Sequence, residues 1–323
     1  MNSIVTPEIS VVIRCYNEEA HIGRLLSGIS QQTRKDVEVI LVDSGSTDAT
    51  LAIASRYPVQ VLHIKKENFS FGYSLNTGCE AASGEYLVIA SGHVYPVYHD
   101  WIERLVSHFQ DERVGLVYGK QRGNELTKFS EQQVFASLFP DESDTSQSHP
   151  FCNNANTAIR RSLWEQSRYD ETLTGLEDLA WAKQIQAAGH RIVYEAEAEI
   201  IHVHDETMKA IYNRYRREAI AMKNAFPRDS FNFIDFIRMY TGNVISDCRV
   251  AAKSGALRGN FGDILGFRFM QFLGTWRGFA QHGPVTRQLK NKFYYPQSGL
   301  LTRTNQERLR SAPAIDYSDN APD

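Results

Sequence analysis

The sequence predicts an α/β fold: a mostly parallel sheet flanked by helices, with a helical extension at its C-terminal end. Three observations carry that expectation. The first 120 residues alternate short, β-branched apolar runs with segments of helical periodicity, as strands joined by crossover helices do. ISVVIRC and EVILVD are continuous apolar runs instead of alternating ones, the pattern of strands covered on both faces. Beyond residue 206 the periodicity is helical throughout and rich in Phe, Tyr, Trp and Arg.

Taken in order, strands are expected at about 9–15, 37–43, 59–64, 85–90 and 114–119. Between the first two, Ile22, Leu25, Leu26 and Ile29 recur at helical spacing within 18–30, which predicts the first crossover helix. From Lys120 to Pro150 the chain turns polar, and DESDTSQSH reads as a mobile loop and a candidate lid. A short strand, NTAIR, follows it. A helix from about Glu177 to Ala188 is closed by Gly189, and two strands come next, RIVYEA and EIIHVH. Helical patterns then run to about residue 282, and the polar residues 305–323 are expected to be disordered. The implied division is an α/β domain over 1–205, a helical region over 206–304 and a tail over 305–323.

A chain of 323 residues, 42% hydrophobic and 23% charged, is long for one ordinary domain, which favours one large domain with an appendage. Cys15, Cys79, Cys152 and Cys248 are scattered singly, suggesting neither a zinc site nor a disulfide framework and suiting a reducing cytoplasm. The N-terminus lacks the basic start and apolar run of a signal peptide, and no stretch approaches the roughly 20 apolar residues that span a bilayer. A cytoplasmic protein is expected, soluble or peripheral at the inner face of the membrane. Net charge is −3, but residues 206–292 carry 15 Lys/Arg against 6 Asp/Glu. Their aromatics, Phe231, Phe233, Phe236, Phe267, Phe272, Trp276 and Phe279, are read first as core packing. Beside Arg238, Arg268 and Arg277 they would also suit an anionic bilayer surface. A pI of about 6.4 and the lack of any recognised module argue against nucleic acid as a partner.

Open parallel sheets bind ligands beyond the carboxyl ends of their strands, and here those ends are unusually polar. Strand one ends in Tyr16-Asn17-Glu18, strand two in Asp43-Ser44-Gly45-Ser46-Thr47-Asp48, and strand four in Ser91-Gly92-His93; Lys65-Lys66 follows strand three. The first turn has no Gly-x-Gly-x-x-Gly, which disfavours a dinucleotide-binding domain. Gly23 and Gly28 have P-loop spacing, but Ile29-Ser30 stands where Lys-Ser/Thr is needed. No Gly-x-Ser-x-Gly elbow is present, which disfavours an α/β-hydrolase.

Four blocks then occur in a recognisable order: SVVIRCYNEE, EVILVDSGSTDAT, ASGEYLVIASGHVYP and GLEDLAWAKQIQAAGHRIVYEAEAEIIHVH. Together, over about residues 9–205, they resemble the inverting family 2 glycosyltransferases of GT-A fold. The resemblance implies a nucleotide-diphosphate sugar donor, a glycan or lipid-linked acceptor, and a place in cell-envelope polysaccharide synthesis. It implies that Tyr16, Asn17, Glu18 and Asp43 hold the base and ribose, and that Ser91 and Gly92 lie at the diphosphate. Asp178 would be the general base, with Glu177 orienting the acceptor or supporting the site. The segment Cys152-Asn153-Asn154-Ala155-Asn156-Thr157 resembles the acceptor side, to which Asn154, Asn156 and Trp181 are assigned.

The residues admit structural readings as well. Asp43 and Asp48 lie in a Ser/Gly/Thr-rich turn where Asp serves as turn former or cap; Asp48 is read as the cap and Asp43 as base recognition. Asn17 and Glu18 could cap the first helix, and the 152–157 segment could be a plain turn. Lys65 and Lys66 are read as solvated; Arg214, Arg216 and Arg217 could meet a diphosphate bidentately or could equally form a solvated helix face, the reading taken for Arg214. Glu177 and Asp178 could be acids favoured by a helix N-terminus. The family's Asp-x-Asp after strand four is absent. His93 could replace it as a nitrogen ligand for Mn²⁺ or Mg²⁺, with His202 and His204, which share one face of a strand, completing the site. Alternatively the histidines donate hydrogen bonds directly to the diphosphate. Two further classes compete with this reading: a non-catalytic nucleotide-sugar or glycan-binding module, favoured by the missing Asp-x-Asp, and a sugar-nucleotide pyrophosphorylase, which would want a Gly-rich, basic first turn that CYNEEAH lacks.

Overall fold

The computed structural model of the chain describes residues 7–281 and 314–317. Four strands with their crossover helices come first: β1 (Ile9–Cys15), α1 (Ile22–Ser30), β2 (Val37–Asp43), α2 (Thr50–Ala54), β3 (Gln60–His63), α3 (Phe71–Ala81) and β4 (Tyr86–Ser91). A short β5 (Val94–Pro96), α4 (Trp101–Ser107), β6 (Val114–Arg122), α5 (Phe129–Leu138), β7 (Asn156–Arg160), α6 (Arg161–Gln166), α7 (Glu177–Ala187) and β8 (Arg191–His202) complete the α/β part. Helices α8 (Met208–Ala225), α9 (Phe233–Lys253) and α10 (Leu257–Phe279) follow.

The eight strands form one sheet in the order β3-β2-β1-β4-β7-β6-β8-β5. Strands β3, β2, β1 and β4 are parallel, as expected, but β7 is antiparallel to both β4 and β6, and β5 is antiparallel to β8, so the sheet is mixed. Buried side chains cover both faces: Val11, Ile13, Leu25 and Trp101 on one, Val12, Leu75, Trp164 and Trp181 on the other. Continuous apolar runs such as ISVVIRC are what such a doubly covered strand requires.

Four sequence expectations are corrected. RIVYEA and EIIHVH form a single strand, β8, because a register irregularity against β6 between Gly119 and Gln121 absorbs the break. The first helix begins at Ile22, not residue 18, because Glu18 to His21 form a turn whose Glu18 carbonyl accepts from the N–H groups of His21 and Ile22. The polar stretch from Lys120 to Pro150 is not all loop: it contains α5, which buries Ser130, Glu131 and Phe135, and DESDTSQSH, the expected lid that follows α5, is pinned where Asp144 pairs with Tyr194. The polar side chains of α5 hid it because two of them, Ser130 and Glu131, are turned inward to hydrogen-bond. Within the expected tail, Ala314–Tyr317 docks on the α/β part. Ala314 bridges Tyr98, Ile315 donates its N–H to Val97 and is buried, and the Tyr317 hydroxyl donates to Pro96. The rest of the tail and residues 282–304 lie outside the described residues.

Of the aromatics of the C-terminal helices, Phe236, Phe267 and Phe272 are buried, but Phe233, which packs at the edge of the core against Phe236 and Trp276, is 54% exposed. A buried ion pair ties these helices to α5: Arg268 on α10 makes a two-pronged contact with Asp247 on α9, which also accepts from the Ser130 hydroxyl. No described helix is long and apolar enough to cross a membrane.

Candidate active site

The chemistry-bearing residues collect beyond the carboxyl ends of β1, β2 and β4, where the parallel part of the sheet opens. Among the described residues Asn17 is one of two non-glycine residues with positive φ, at 55°, and the other, Leu176 at 57°, immediately precedes Glu177. Such backbone costs about 1–2 kcal/mol per residue for an L-amino acid and persists only where surrounding contacts enforce it. At Asn17 those contacts are visible: its N–H donates to Ser46 Oγ, and its Oδ1 accepts from the N–H of Thr47. Thus Asn17 ties the ends of β1 and β2 together.

Asp43 is buried, and its carboxylate accepts from the N–H groups of Gly45 and Ser46, both at 3.0 Å, with His63 Nδ1 at 3.4 Å. These contacts are those of a turn former. Asp48 organises the next turn, accepting from the N–H and hydroxyl of Thr50 and from the N–H of Glu19. Lys66 is not solvated: its stem passes over Gly45, and its ammonium lies 3.0 Å from the Tyr16 hydroxyl and 4.5 Å from the centre of that ring. Gly92 is required by close approach, since a Cβ there would meet Glu18 Cγ at 2.7 Å.

Glu18 reaches from the end of β1 to His93, Oε1 to Nδ1 at 2.7 Å. This is the first of three parallel contacts. His202 Nδ1 lies 2.8 Å from Gln121 Oε1, and His204 Nδ1 lies 2.7 Å from Glu131 Oε1. The Nε2 atoms of His202 and His204 face each other at 2.9 Å, and the potential ligand atoms of all three histidines fall within 4.8 Å of one another. Imidazoles whose Nδ1 is fixed by a carboxylate or amide, with Nε2 converging, are the arrangement of metal-binding histidines. A cation therefore fits here, with Glu18, Gln121 and Glu131 as the outer partners. Burial and the neighbouring His204 hold His202 well below the usual histidine pKa, which keeps it a neutral donor. Burial also disfavours charge on His93, but the Glu18 carboxylate outweighs it and the net shift is upward. Arg214, expected in solvent, is instead mostly covered and paired with Glu131 and Glu206. Together with His204 it overcomes the burial of Glu131 and lowers that carboxyl to about 2.

The acid pair opens α7. Both carboxyls are buried, Glu177 at 4% exposure and Asp178 at 9%. Asp178 accepts from the N–H of Asn154 at 3.0 Å and of Leu179 at 2.8 Å. Those bonds and Arg14 favour the carboxylate, yet burial and the adjacent Glu177 charge dominate and raise Asp178 from 3.8 to about 7. This upward shift is the opposite of what a helix-capping acid shows, whose carboxylate the helix N-terminus would favour.

Of the acceptor-side residues, Asn154 alone keeps that role open: its amide is buried beside Asp178, and neither Nδ2 nor Oδ1 has a hydrogen-bond partner. Asn156 is corrected to a structural residue, accepting from Trp101 Nε1 and donating to the Lys120 and Ala198 carbonyls. Asn156→Ala is expected to destabilise the fold by about 2–3 kcal/mol in urea denaturation, because buried partners lose their bonds, while the acceptor KM stays unchanged. Trp181 is likewise corrected: it is fully buried, with Nε1 donating to the Ser167 carbonyl. Arg216 donates to Gln281, just beyond the end of α10, whereas the Arg217 guanidinium lies over Phe71 with its Nε near Gly175, two residues before Glu177.

Arg14, one step before the end of β1, was passed over. It lies 3.7 Å from Glu177 and acts electrostatically on Asp178, His93 and His202, so it stands between the acids and the histidines. Its signal was legible: one cation inside an otherwise apolar strand. Glu131 and Gln121 gave no such signal.

Comparison with known proteins bears on the family and the fold. Residues 10–167 match the family described as Glycosyl transferase family 2. The chain is 26% identical over 220 residues to the O-antigen chain rhamnosyltransferase RfbN of Salmonella typhimurium, covering 64% of this chain and 70% of that one. It is 26% identical over 221 residues to the O-antigen chain rhamnosyltransferase WbaN of Salmonella anatum, covering 65% and 70%. Among solved structures, the mannosyltransferase PcManGT from Pyrobaculum calidifontis, in complex with GDP-Man and Mn²⁺, superposes with a TM-score of 0.56 at 18% identity, over 91% of this chain and 89% of that one. That likeness is one of fold, the GT-A arrangement.

Proposed function

Since the chain is a glycosyltransferase of family 2, we propose that it moves a sugar from a nucleotide-diphosphate donor to a saccharide or lipid-linked acceptor with inversion at the anomeric carbon. The observation that carries this reading is the buried Asp178, raised to about 7 at the mouth of the sheet. A sugar hydroxyl is too weak a nucleophile to attack unaided. In the proposed step Asp178 takes the hydroxyl proton as the acceptor oxygen bonds to the anomeric carbon. The bond from that carbon to the leaving phosphate breaks, its electron pair staying on the phosphate oxygen, and one in-line displacement inverts the configuration. Asn154 would hold the acceptor hydroxyl, and Arg14 would fix Glu177 and keep positive potential near the developing charge. Tyr16, Lys66 and the 43–48 turn would enclose the nucleoside, with Ser91 and Gly92 bordering the diphosphate. A divalent cation bound by His93, His202 and His204 would supply charge stabilisation at the leaving diphosphate.

The names of the relatives favour a role in envelope polysaccharide assembly, with a deoxyhexose such as rhamnose as the transferred sugar. A thermal-shift panel of nucleoside diphosphates and nucleotide sugars tests the donor assignment, because ligands of the folded state raise its stability. A flat panel would remove it.

A lipid-linked acceptor calls for contact with a membrane surface. On α9, Ile234, Ile237 and Ile245 are exposed, and exposed Arg238 and Arg249 flank them. This face suits an anionic bilayer. The protein is expected to float with anionic vesicles, and Ile234→Asp with Ile237→Asp should abolish flotation; binding that ignores both substitutions would refute this surface.

A further inference from the structure

Phe71, at the start of α3, is flanked by two guanidinium groups. Arg14 Cζ and Arg217 Cζ each lie 4.8 Å from its ring centroid, one reaching from β1 and the other from α8. Their side chains are only 12% and 15% exposed. Stacking on an aromatic face accommodates the flat of a guanidinium but leaves its N–H groups needing acceptors. Those acceptors are missing: Arg14 Nε and Nη1 and Arg217 Nε are all buried without a hydrogen-bond partner. Nearby carboxylates do not satisfy them. Glu177 stands off at 3.7 Å from Arg14, and Glu218, 3.9 Å from Arg217, is pushed toward its neutral form by burial. Space for a missing acceptor exists on the Arg217 side. A Cβ built on Gly175 would find Arg217 Nε, at 3.6 Å, as the one heavy atom within 4 Å.

Buried donors without acceptors are costly, and guanidinium groups match phosphate or carboxylate oxygens in particular. We propose that Arg14, Phe71 and Arg217 form an oxyanion-binding subsite beside the acid pair, which takes a phosphoryl or carboxylate group carried by a substrate. Phe71 holds both guanidiniums upright and apart, and the anion enters between their edges near Gly175. The subsite deepens the transferase reading, on which it rests for its place in the reaction. Two sources share this chemistry. One is the donor's diphosphate; the other is an acidic acceptor, either a phosphate-linked lipid saccharide or a uronic acid.

Calorimetric titration of the whole chain, with EDTA present to silence the histidines, separates them. Inorganic pyrophosphate is expected to bind the wild-type protein, about tenfold or more weakly to Arg217→Gln, and at an intermediate level to Arg217→Lys, which keeps the charge but not the fork. If UDP weakens in parallel, the donor supplies the anion. If UDP is unaffected while methyl glucuronide or pyrophosphate weakens, the acceptor does. Equal pyrophosphate affinity in wild type, Arg217→Gln and Arg14→Gln, or no binding to the wild type, overturns the subsite. Should the variants fail to fold, the arginine Nε–H resonances of the wild-type protein give a second readout: pyrophosphate must shift two of them. Loss of transfer in Asp178→Asn tests the transferase reading independently, because that variant should still bind pyrophosphate.

Discussion

Asp178→Asn is expected to lower kcat by about 10²–10⁴-fold, the usual contribution of a positioned general base, while nucleoside diphosphate affinity is retained. The amide keeps the shape of the carboxyl and can still accept one of the two N–H groups that Asp178 accepts from Asn154 and Leu179. What it cannot do is take a proton. A variant that transfers sugar at the wild-type rate would remove Asp178 from the chemistry. Loss of both turnover and nucleotide binding would instead point to a collapsed site.

The same residue predicts two pH dependences of opposite sign. As a base it works only when ionised, so kcat/KM should rise with pH through about 7, the value to which burial and Glu177 lift it. Stability runs the other way. Between the ordinary aspartate value of 3.8 and about 7 the folded state holds a proton that the unfolded chain has released, so stability falls as pH rises across that window. Thermal melts of wild type and Asp178→Asn across pH 4–8 should show this slope in the wild type and a flatter line in the variant. Burying this carboxylate thus lowers stability at neutral pH.

How far this could be read from sequence depends on whether a residue's role is local or borrowed. The strands from β1 to β4 were legible because ISVVIRC and EVILVD state their burial in their own composition, and Glu177-Asp178 was legible because the motif around it is contiguous. Helix α5 was not. Its buried face is made by Ser130, Glu131 and Phe135, and the first two count as polar in any periodicity argument, although one binds Asp247 and the other His204 and Arg214. Arg214 was misjudged for the same reason: its partners Glu131 and Glu206 are distant or unremarkable in sequence. Asn156 and Trp181 share a segment with Asn154 and Asp178, yet backbone direction turns them into the core. Proximity in sequence to Asp178 predicted location but not the direction of the side chain.

The three-histidine cluster yields the other large effect. Adding Mn²⁺ or Zn²⁺ to chelated protein is expected to raise its unfolding free energy, by about 2.7 kcal/mol when the free ion exceeds its Kd a hundredfold, and His202→Ala should abolish the increase. Activity should fall on chelation and return with the ion. Transfer that persists in EDTA, together with a thermal midpoint indifferent to either metal, would leave the histidines as direct hydrogen-bond donors to the diphosphate. The outer partners sharpen the test. Gln121 fixes His202 through Nδ1, and Glu131 fixes His204 in the same way. Gln121→Ala, which removes no ligand, should weaken metal affinity about 10–100-fold, because an imidazole free to rotate must be ordered again on binding. Glu131→Gln separates two jobs, since it can still accept from His204 but no longer balances Arg214. If the cluster is a metal site, this substitution should cost more in folding stability than in metal affinity, and Gln121→Ala should do the reverse. A purely structural histidine cluster would show losses in stability alone for both.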